Sequence, residues 1–182
     1  RLSLTLGTLT ALIGWLVVRF SANYLHREAG FHRFFIGITF FLAGIQLVLL
    51  AGNWLLAFVG WEMCGMSSFL LIGYAWHRPV ATGNALYVFV TNRGGDAGFL
   101  LALGFAAAWI GTFEWPQVVA GSQIDTSSPR LVALGFVVAA LAKSAQLPFS
   151  PWLSRALEGP TPSSAIFYGA LMVHAGVFLL IR

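Results

Sequence analysis

Six apolar runs, each about as long as a membrane is thick, divide this chain and leave only polar links between them. A bilayer core of ~30 Å is crossed by about 20 helical residues. Within a bilayer only helices and closed barrels satisfy the backbone hydrogen bonds. The runs lack the two-residue alternation of barrel strands, so they predict an all-α integral membrane protein with about six transmembrane helices. They cover residues 2–22, 34–52, 54–76, 85–110, 130–158 and 163–182.

The fifth run holds a lysine and two prolines where an uninterrupted helix would be expected. Lys143 follows a stretch without charge, and Pro148 and Pro151 follow it closely. A cation near the bilayer centre costs roughly 3 kcal/mol, and a proline inside a helix costs about 3 kcal/mol and frees a backbone carbonyl. We therefore predict a discontinuous helix broken near Pro148 and Pro151, with Ser144 and Gln146 as polar support and Lys143 as a functional group.

Four further ionisable residues lie inside the predicted spans. Glu62 lies in the third span, Arg93 and Asp96 in the fourth, and His174 in the sixth. The i, i+3 spacing of Arg93 and Asp96 places them on one helix face, where they can pair. Ionisable residues inside a membrane are candidates for functional sites.

Glu62 and Lys143 are predicted to face each other, because the third and fifth helices run in the same direction and place them at comparable depth. A carboxylate and an amine in a low-dielectric interior stabilise each other's charged states, and a buried lysine is a suitable proton carrier. Broken helices at midplane depth also mark ion sites in transporters. A purely structural ion pair remains an alternative, above all for Arg93 with Asp96, as does a packed, hydrogen-bonded His174.

Other ligand classes have little support in the sequence. The basic residues form no stripe with interleaved aromatics, so no nucleic-acid partner is expected. His26, His32 and His77 lie in links without metal-ligand spacing, so no metal site is expected. A Walker loop, a dinucleotide fingerprint and a CxxC pair are all missing, so this chain is expected to bind no cofactor. With 58% hydrophobic and 9% charged residues, the partner that composition predicts is the lipid bilayer.

The cationic residues indicate orientation, and the ends of the chain indicate its extent. Links after the first, third and fifth spans hold Arg27, Arg33, Arg78 and Arg155, which places these links in the cytoplasm by the positive-inside rule. The chain starts without an initiator methionine and stops where its sixth helix would leave the bilayer. We therefore expect a fragment of a longer protein.

Four motifs follow one another along this six-helix frame. They are Gly60-Trp61-Glu62, Thr-Asn-Arg-Gly-Gly-Asp at 91–96, Lys-Ser-Ala-Gln-Leu-Pro at 143–148 and Gly-Pro-Thr-Pro-Ser-Ser-Ala at 159–165. Together with Arg33-Phe34-Phe35 they resemble the antiporter-like subunits of complex I, NADH:quinone oxidoreductase, especially the L or chain 5 type, and their Mrp-antiporter relatives. The resemblance covers essentially the whole chain.

The resemblance implies a complete protein with two inverted five-helix repeats, each with a discontinuous helix and a proton half-channel. Residues 1–182 would then form a single transmembrane domain, with 1–33 as a preceding helix and link and 34–182 as the first repeat. By the same resemblance, Glu62 matches the family's glutamate and Lys143 its lysine on the broken helix. Arg93 and Asp96 match the pair thought to modulate the neighbouring site.

The sequence departs from the family pattern in the sixth span. Tyr168 stands where complex I subunits usually place a histidine, and His174 follows six residues later. Six residues turn a helix by about 600°, so His174 is expected to face about 120° away from Tyr168. The proton path is therefore expected to continue through His174 or Tyr168 and water, or else the chain is a specialised relative.

The expected function is proton translocation by a non-catalytic subunit of a complex I-type NADH:quinone oxidoreductase, driven by redox chemistry in partner membrane subunits. Whether the protein should be called an enzyme is left open. Its expected location is the cell inner membrane or an equivalent energy-transducing membrane. The alternatives are an antiporter-like subunit of a DAB-type inorganic-carbon uptake system, a membrane-bound hydrogenase or an Mrp cation/proton antiporter, and a structural subunit that has lost conduction.

Overall fold

The structure, a computed structural model, describes residues 1–117 and 128–182, except for the side chains of residues 128, 129 and 168. Most of these residues are helical. The α-helices are α1 (Leu2–Tyr24), α2 (Phe31–Leu50), α3 (Trp54–Ile72), α4 (Pro79–Phe105), α5 (Ser128–Lys143), α6 (Pro151–Arg155), α7 (Thr161–Ser164) and α8 (Met172–Ile181). Wider π-helical turns over Ala106–Ile110 extend α4, and those over Ala165–Ala170 join α7 to α8.

These helices confirm the predicted all-α membrane architecture. Helices α1, α2 and α3 are each long and apolar enough to cross a bilayer, and so is the combined segment Thr161–Ile181. Helix α4 is longer, with 27 residues, but its polar and charged residues make it less apolar. Helix α5 has only 16 residues and ends at Lys143, so the fifth crossing depends on α6 beyond a break. The chain is therefore a multi-pass membrane protein with one discontinuous helix.

The helix boundaries differ from the predicted ones where capping residues decide them. Helix α4 begins at Pro79 rather than at residue 85, because proline is favoured in the first helical turn. Helix α3 ends at Ile72 rather than at residue 76, and Gly73 is its C-cap. It begins after Asn53, whose Oδ1 accepts a hydrogen bond of 2.8 Å from the Leu56 N–H, as an N-cap does.

Glycines allow two pairs of helices to pack in close contact. A Cβ atom on Gly60 of α3 would lie 2.6 Å from the carbonyl oxygen of Gly44 on α2. A Cβ atom on Gly98 of α4 would lie 2.7 Å from the carbonyl oxygen of Gly135 on α5. Small residues permit such backbone approach in membrane bundles. We call the second contact the α4–α5 seam; it also includes Gly95 against Ala142, next to the ionisable residues of both helices.

An aromatic cluster fills the space between α3, α4 and α5. The ring of Phe99 lies 5.2 Å from that of Phe58, 5.5 Å from that of Trp61 and 5.1 Å from that of Phe136. The edge-to-face arrangement of these rings is the favoured geometry for aromatic packing. Since Trp61 and Phe99 are fully buried, the cluster fixes the inner face of α3 against α4.

Candidate functional site

The predicted discontinuous helix is present, but α5 ends at Lys143, before the first proline. Ala145 has a φ of 53°, in the left-handed region, so the chain turns away immediately after the lysine. Pro148 explains this early end, because its nitrogen cannot donate to the Ser144 carbonyl and its ring would clash with that carbonyl in a helix. Pro151 instead begins α6. The break therefore spans residues 144–150.

Side chains satisfy backbone carbonyls at the break. The buried indole of Trp152 donates a hydrogen bond of 2.8 Å to the Ala142 carbonyl, and Gln146 Nε2 donates one of 3.0 Å to the Ser144 carbonyl. The Ser144 hydroxyl donates to the Val173 carbonyl of α8 at 2.6 Å. Ser144 and Gln146 thus support the break as predicted, and the bond from Trp152 was not anticipated from the sequence.

Lys143 is buried at the end of α5, with only 1% of its surface exposed. Its Nζ lies 3.7 Å from Asp96 Oδ1 and 4.9 Å from the centre of the Trp61 ring. Among the residues that the structure describes, Nζ has no hydrogen-bond partner. The ammonium group is therefore stabilised by charge and by an aromatic face, without a directed bond that would hold its proton in one place.

Asp96 is the central carboxylate of the site. It is 3% exposed, and its Oδ1 accepts a hydrogen bond of 2.6 Å from the Trp61 indole. Its Oδ2 lies 3.0 Å from Arg93 Nη2, which confirms the predicted i, i+3 pair. This second contact lacks hydrogen-bond alignment, because Oδ2 has no hydrogen bond to any described residue. Asp96 thus faces two cations, Arg93 and Lys143, and one neutral donor.

The structure does not bring Glu62 and Lys143 into direct contact. Glu62 Oε2 accepts a hydrogen bond from Arg93 Nη1, and Arg93 also contacts Asp96. The expected ion pair is therefore replaced by a row of four alternating charges. We call Glu62, Arg93, Asp96 and Lys143 the charge row. With all four groups ionised, its net charge is zero.

The orientation of α3 about its own axis explains why Glu62 contacts Arg93 and not Lys143. The inner face of α3 presents Trp61 and, one turn later, Gly65. Glu62 is turned about 100° from Trp61 around the axis, and its side chain is 28% exposed beside that of Arg93, which is 33% exposed. A Cβ atom on Gly65 would lie 2.7 Å from Arg93 Nη2 and 3.5 Å from Lys143 Nζ. The missing side chain at Gly65 therefore gives both cations room beside α3.

The structure does not bring His174 to the charge row. His174 lies on an exposed face of α8, whereas the inner face of α8 presents Gly176, whose position is in contact with Ser144. Tyr168 lies in the segment Ala165–Ala170, and its side chain is outside the described part of the structure. The predicted onward relay through either residue therefore stays a prediction.

Comparison with known proteins identifies the family. The transmembrane family model of NADH:quinone oxidoreductase and Mrp antiporters matches residues 51–182. The chain belongs to this family. A second model, the N-terminus of chain 5 of NADH-ubiquinone oxidoreductase (complex I), matches residues 1–35. The resemblance seen in the four sequence motifs is therefore confirmed.

The relatives of this chain are considerably longer than the chain itself. NADH-quinone oxidoreductase subunit L of Mycobacterium tuberculosis is 40% identical over 184 residues, covering 100% of this chain and 29% of the relative. NADH-ubiquinone oxidoreductase chain 5 of Mus musculus is 37% identical over 180 residues, covering 99% and 29%. The chain thus spans less than a third of these relatives. The solved Mrp complex from Dietzia sp. matches with a TM-score of 0.87 and 32% identity, over 93% of this chain and 19% of that chain.

Besides Trp152, sequence reasoning missed two residues that lie next to the charge row. Trp61 donates to Asp96, and Gly65 makes space for two cations. Interfacial tryptophans lie near the ends of membrane spans. Trp61 instead lies within a span and directly before Glu62, and this position could have indicated its role in the site. Gly65, one turn after Trp61, carries no such signal.

The site contains ion pairs rather than a metal-binding cluster. Across residues 1–117 and 128–182, no group of three or more His, Cys, Asp or Glu side chains is arranged to hold a metal ion. The expectation that this antiporter family chain binds no metal or cofactor of its own stays a prediction. The charge row couples its ends electrostatically, because Arg93 contacts both Glu62 and Asp96, and Asp96 faces Lys143.

Proposed function

We propose that this chain is part of a proton-translocating subunit of a complex I-type NADH:quinone oxidoreductase in an energy-transducing membrane. Other membrane subunits would be its partners, and redox chemistry in partner subunits would supply the energy. The observation that carries the proposal is the position of Lys143, buried at a helix break and linked through Asp96 and Arg93 to Glu62. The match of residues 1–35 to the chain 5 N-terminus supports this assignment.

Arg93 would be the moving part, because it contacts both carboxylates of the charge row. When Arg93 stays close to Glu62, Asp96 is free to stabilise the ammonium form of Lys143. When a charge outside the bundle neutralises Glu62, Arg93 is released toward Asp96 and takes over that carboxylate. The ammonium group then loses electrostatic support and would transfer its proton to water entering at the helix break. A change at the bundle edge would thus release a proton at the helix break.

A second candidate is an antiporter-like subunit of an Mrp cation/proton antiporter. The likeness to the Dietzia Mrp complex, with a TM-score of 0.87 and 32% identity, supports this candidate without placing it above the first. The charge row would work in the same way there, but a cation gradient would drive it instead of electron transfer. Sodium-dependent proton movement without any electron donor would distinguish this candidate from the first.

The proposal is tested by replacing Lys143 in the full-length subunit, within the assembled complex reconstituted into vesicles. Lys143→Ala removes the proton carrier, and Lys143→Arg keeps a cation that does not deprotonate in proteins. Both variants are expected to lower the number of protons moved per electron while NADH oxidation continues. Arg130→Gln, at an exposed residue of the same helix, is the matched control and should leave the proton-to-electron ratio unchanged.

Two results would argue against the carrier role of Lys143. An unchanged proton-to-electron ratio in Lys143→Ala would remove the residue from the proton path. A normal ratio in Lys143→Arg together with a lowered ratio in Lys143→Ala would show that Lys143 acts only as a fixed charge. Assembly of each variant, measured by native gel electrophoresis, separates these results from a folding defect.

A further inference from the structure

A groove separate from the charge row opens on the outside of the bundle. It has a volume of about 370 Å³ and lies between the start of α2, the end of α3 and the start of α4. Ile36, Leu70 and Trp76 line it and are 70%, 54% and 64% exposed. The volume lies in the range of roughly 300–1,000 Å³ found for small-molecule sites. Because Arg33 lines its polar end, we call this cavity the Arg33 groove.

Two hydrogen-bond donors stand together at the polar end of the groove. The Arg33 guanidinium carbon lies 5.8 Å from the centre of the Tyr74 ring. The Tyr74 hydroxyl is buried and donates no hydrogen bond to any described residue, and the nearby Gly30 backbone can only donate to its oxygen. Burial, helped by the Glu28 carboxylate, raises the pKa of Tyr74, so the phenol keeps its proton and can donate. A guanidinium beside a phenol is a suitable pair of donors for phosphate oxygens.

Close packing holds the Tyr74 ring in position. A Cβ atom on Gly30, in the link between α1 and α2, would lie 2.6 Å from the ring carbons and hydroxyl oxygen of Tyr74. The Phe34 ring meets the Tyr74 ring edge to face, with 6.1 Å between the ring centres. The Tyr74 ring is therefore held between Gly30 and Phe34, close to the Arg33 guanidinium.

The end of the bundle around the groove is electropositive. It includes the last turns of α1, the α1–α2 and α3–α4 links, the start of α2 and α6. In sequence these parts, together with the short helical turn Ala156–Glu158 that follows α6, contain five arginines against two glutamates. One of the glutamates, Glu158, already pairs with Arg78 at 2.9 Å. The arginines are Arg19, Arg27, Arg33, Arg78 and Arg155. An anionic headgroup is complementary to this surface, whereas a choline headgroup would add another cation to it.

We propose that the Arg33 groove binds an anionic phospholipid, with one acyl chain between Ile36 and Leu70 and the phosphate at Arg33 and Tyr74. The apolar wall accounts for the chain, the two donors account for the phosphate, and the surplus of arginines accounts for the preference for an anionic lipid. The exposed indole of Trp76 at the rim fits the headgroup level, where tryptophan is enriched. The surrounding bilayer supplies the ligand.

The test is site-resolved photo-crosslinking on the assembled complex with the full-length subunit. The probes are phosphatidylglycerol and phosphatidylcholine that carry the same diazirine-bearing acyl chain, and crosslinked peptides covering residues 34–37 and 69–76 are quantified by mass spectrometry. Phosphatidylglycerol is expected to label these peptides about fivefold more strongly, the effect of one basic residue near an anionic lipid surface. Arg33→Gln should remove most of this preference.

Matched variants separate the groove from general surface charge. Arg27→Gln removes the same charge from the neighbouring link without touching the groove and should change labelling clearly less than Arg33→Gln does. Tyr74→Phe keeps the ring and removes only the hydroxyl, so it should lower phosphatidylglycerol labelling even if Arg33→Gln fails to assemble. Thr82→Trp, at an exposed lining position of α4, should block labelling by both lipids.

Three outcomes would overturn the proposal. Equal labelling by the two lipids would make the groove an unselective apolar surface. An equal loss of labelling in Arg27→Gln and Arg33→Gln would assign the preference to the whole surface. Absence of labelling by either lipid in the assembled complex would show that another subunit, or another part of the full-length subunit, covers the groove.

Discussion

Two polar sites inside this bundle are built on opposite principles. At the α1–α2 contact, Gln46 donates to the Gly7 carbonyl at 2.9 Å and to the Thr10 hydroxyl at 2.8 Å, and Thr10 in turn donates to Gly7. In the charge row, Lys143 Nζ and Asp96 Oδ2 have no hydrogen bond to any described residue. The first site is neutral and uses both amide hydrogens, and the second is ionised and incompletely bonded.

The difference separates a contact with saturated hydrogen bonds from one without them. Both amide hydrogens of Gln46 are bonded, so this side chain holds α1 against α2. In the charge row, Lys143 Nζ and Asp96 Oδ2 each lie near an opposite charge without a hydrogen bond to a described residue. Under the proposed function, these free atoms are what would let the ionised groups change partners.

The largest expected effect comes from Asp96→Asn, which removes the central carboxylate and leaves the charge row with a net positive charge. Breaking a buried ion pair by removing one partner costs about 3–5 kcal/mol. We expect lower thermal stability of the assembled complex and a lower proton-to-electron ratio. Glu114→Gln, at an exposed carboxylate, is the control. If Asp96→Asn had wild-type stability and proton pumping, the charge row would not differ in function from the neutral Gln46 contact.

An intermediate effect is expected for Trp152→Phe. This variant tests whether the hydrogen bond from the Trp152 indole to the Ala142 carbonyl stabilises the helix break. The substitution keeps an aromatic ring but removes one of two donors to the Ala142 carbonyl, which also accepts a hydrogen bond of 3.2 Å from the Ala145 N–H. The loss of one such hydrogen bond costs about 1 kcal/mol. The melting temperature of the complex should fall, whereas NADH oxidation should continue. Trp109→Phe, at a 51% exposed tryptophan, should show neither change. Equal stability of Trp152→Phe and wild type would mean that the break needs no support from this indole.

The smallest effect is expected for Gln46→Leu, which replaces the saturated amide by an apolar side chain. Hydrogen bonds between membrane helices are worth about 0.6 kcal/mol on average and about 1.7 kcal/mol at most. A small loss of thermal stability with an unchanged proton-to-electron ratio is therefore expected. Thr8→Val serves as the control, since Thr8 donates only to carbonyls of its own helix. A reduced ratio in Gln46→Leu would show that the α1–α2 contact takes part in proton movement.

The sequence predicted those features that depend on one helix at a time. Apolar length determines which segments can cross a bilayer, so the architecture was predictable. The Arg93–Asp96 pair was predictable because its i, i+3 spacing is local. The helix break was predictable from Pro148, although its position was not, since the proline disrupts the preceding turn.

Features that depend on how helices rotate against one another were not predictable. Comparable depth suggested that Glu62 meets Lys143, but depth does not determine the direction in which a side chain leaves the helix. The packing of Trp61 against Phe99 turns Glu62 toward Arg93 instead. The bond from Trp152 back to Ala142 likewise depends on the course of the chain through the break.

The backbone contact of Gly98 with Gly135 would limit the helix motions that accompany the proposed proton release. If α4 slid along α5, main-chain atoms that are now in contact would clash or move apart. The two helices would therefore move together as one rigid unit. Charge must then be displaced by torsions of Arg93 and Lys143 within a fixed frame. A partly exposed side chain such as that of Arg93 changes rotamer in picoseconds to nanoseconds, whereas helix displacements take microseconds or longer. Gating of the site would therefore be limited by the arrival of charge at its edge rather than by mechanical rearrangement.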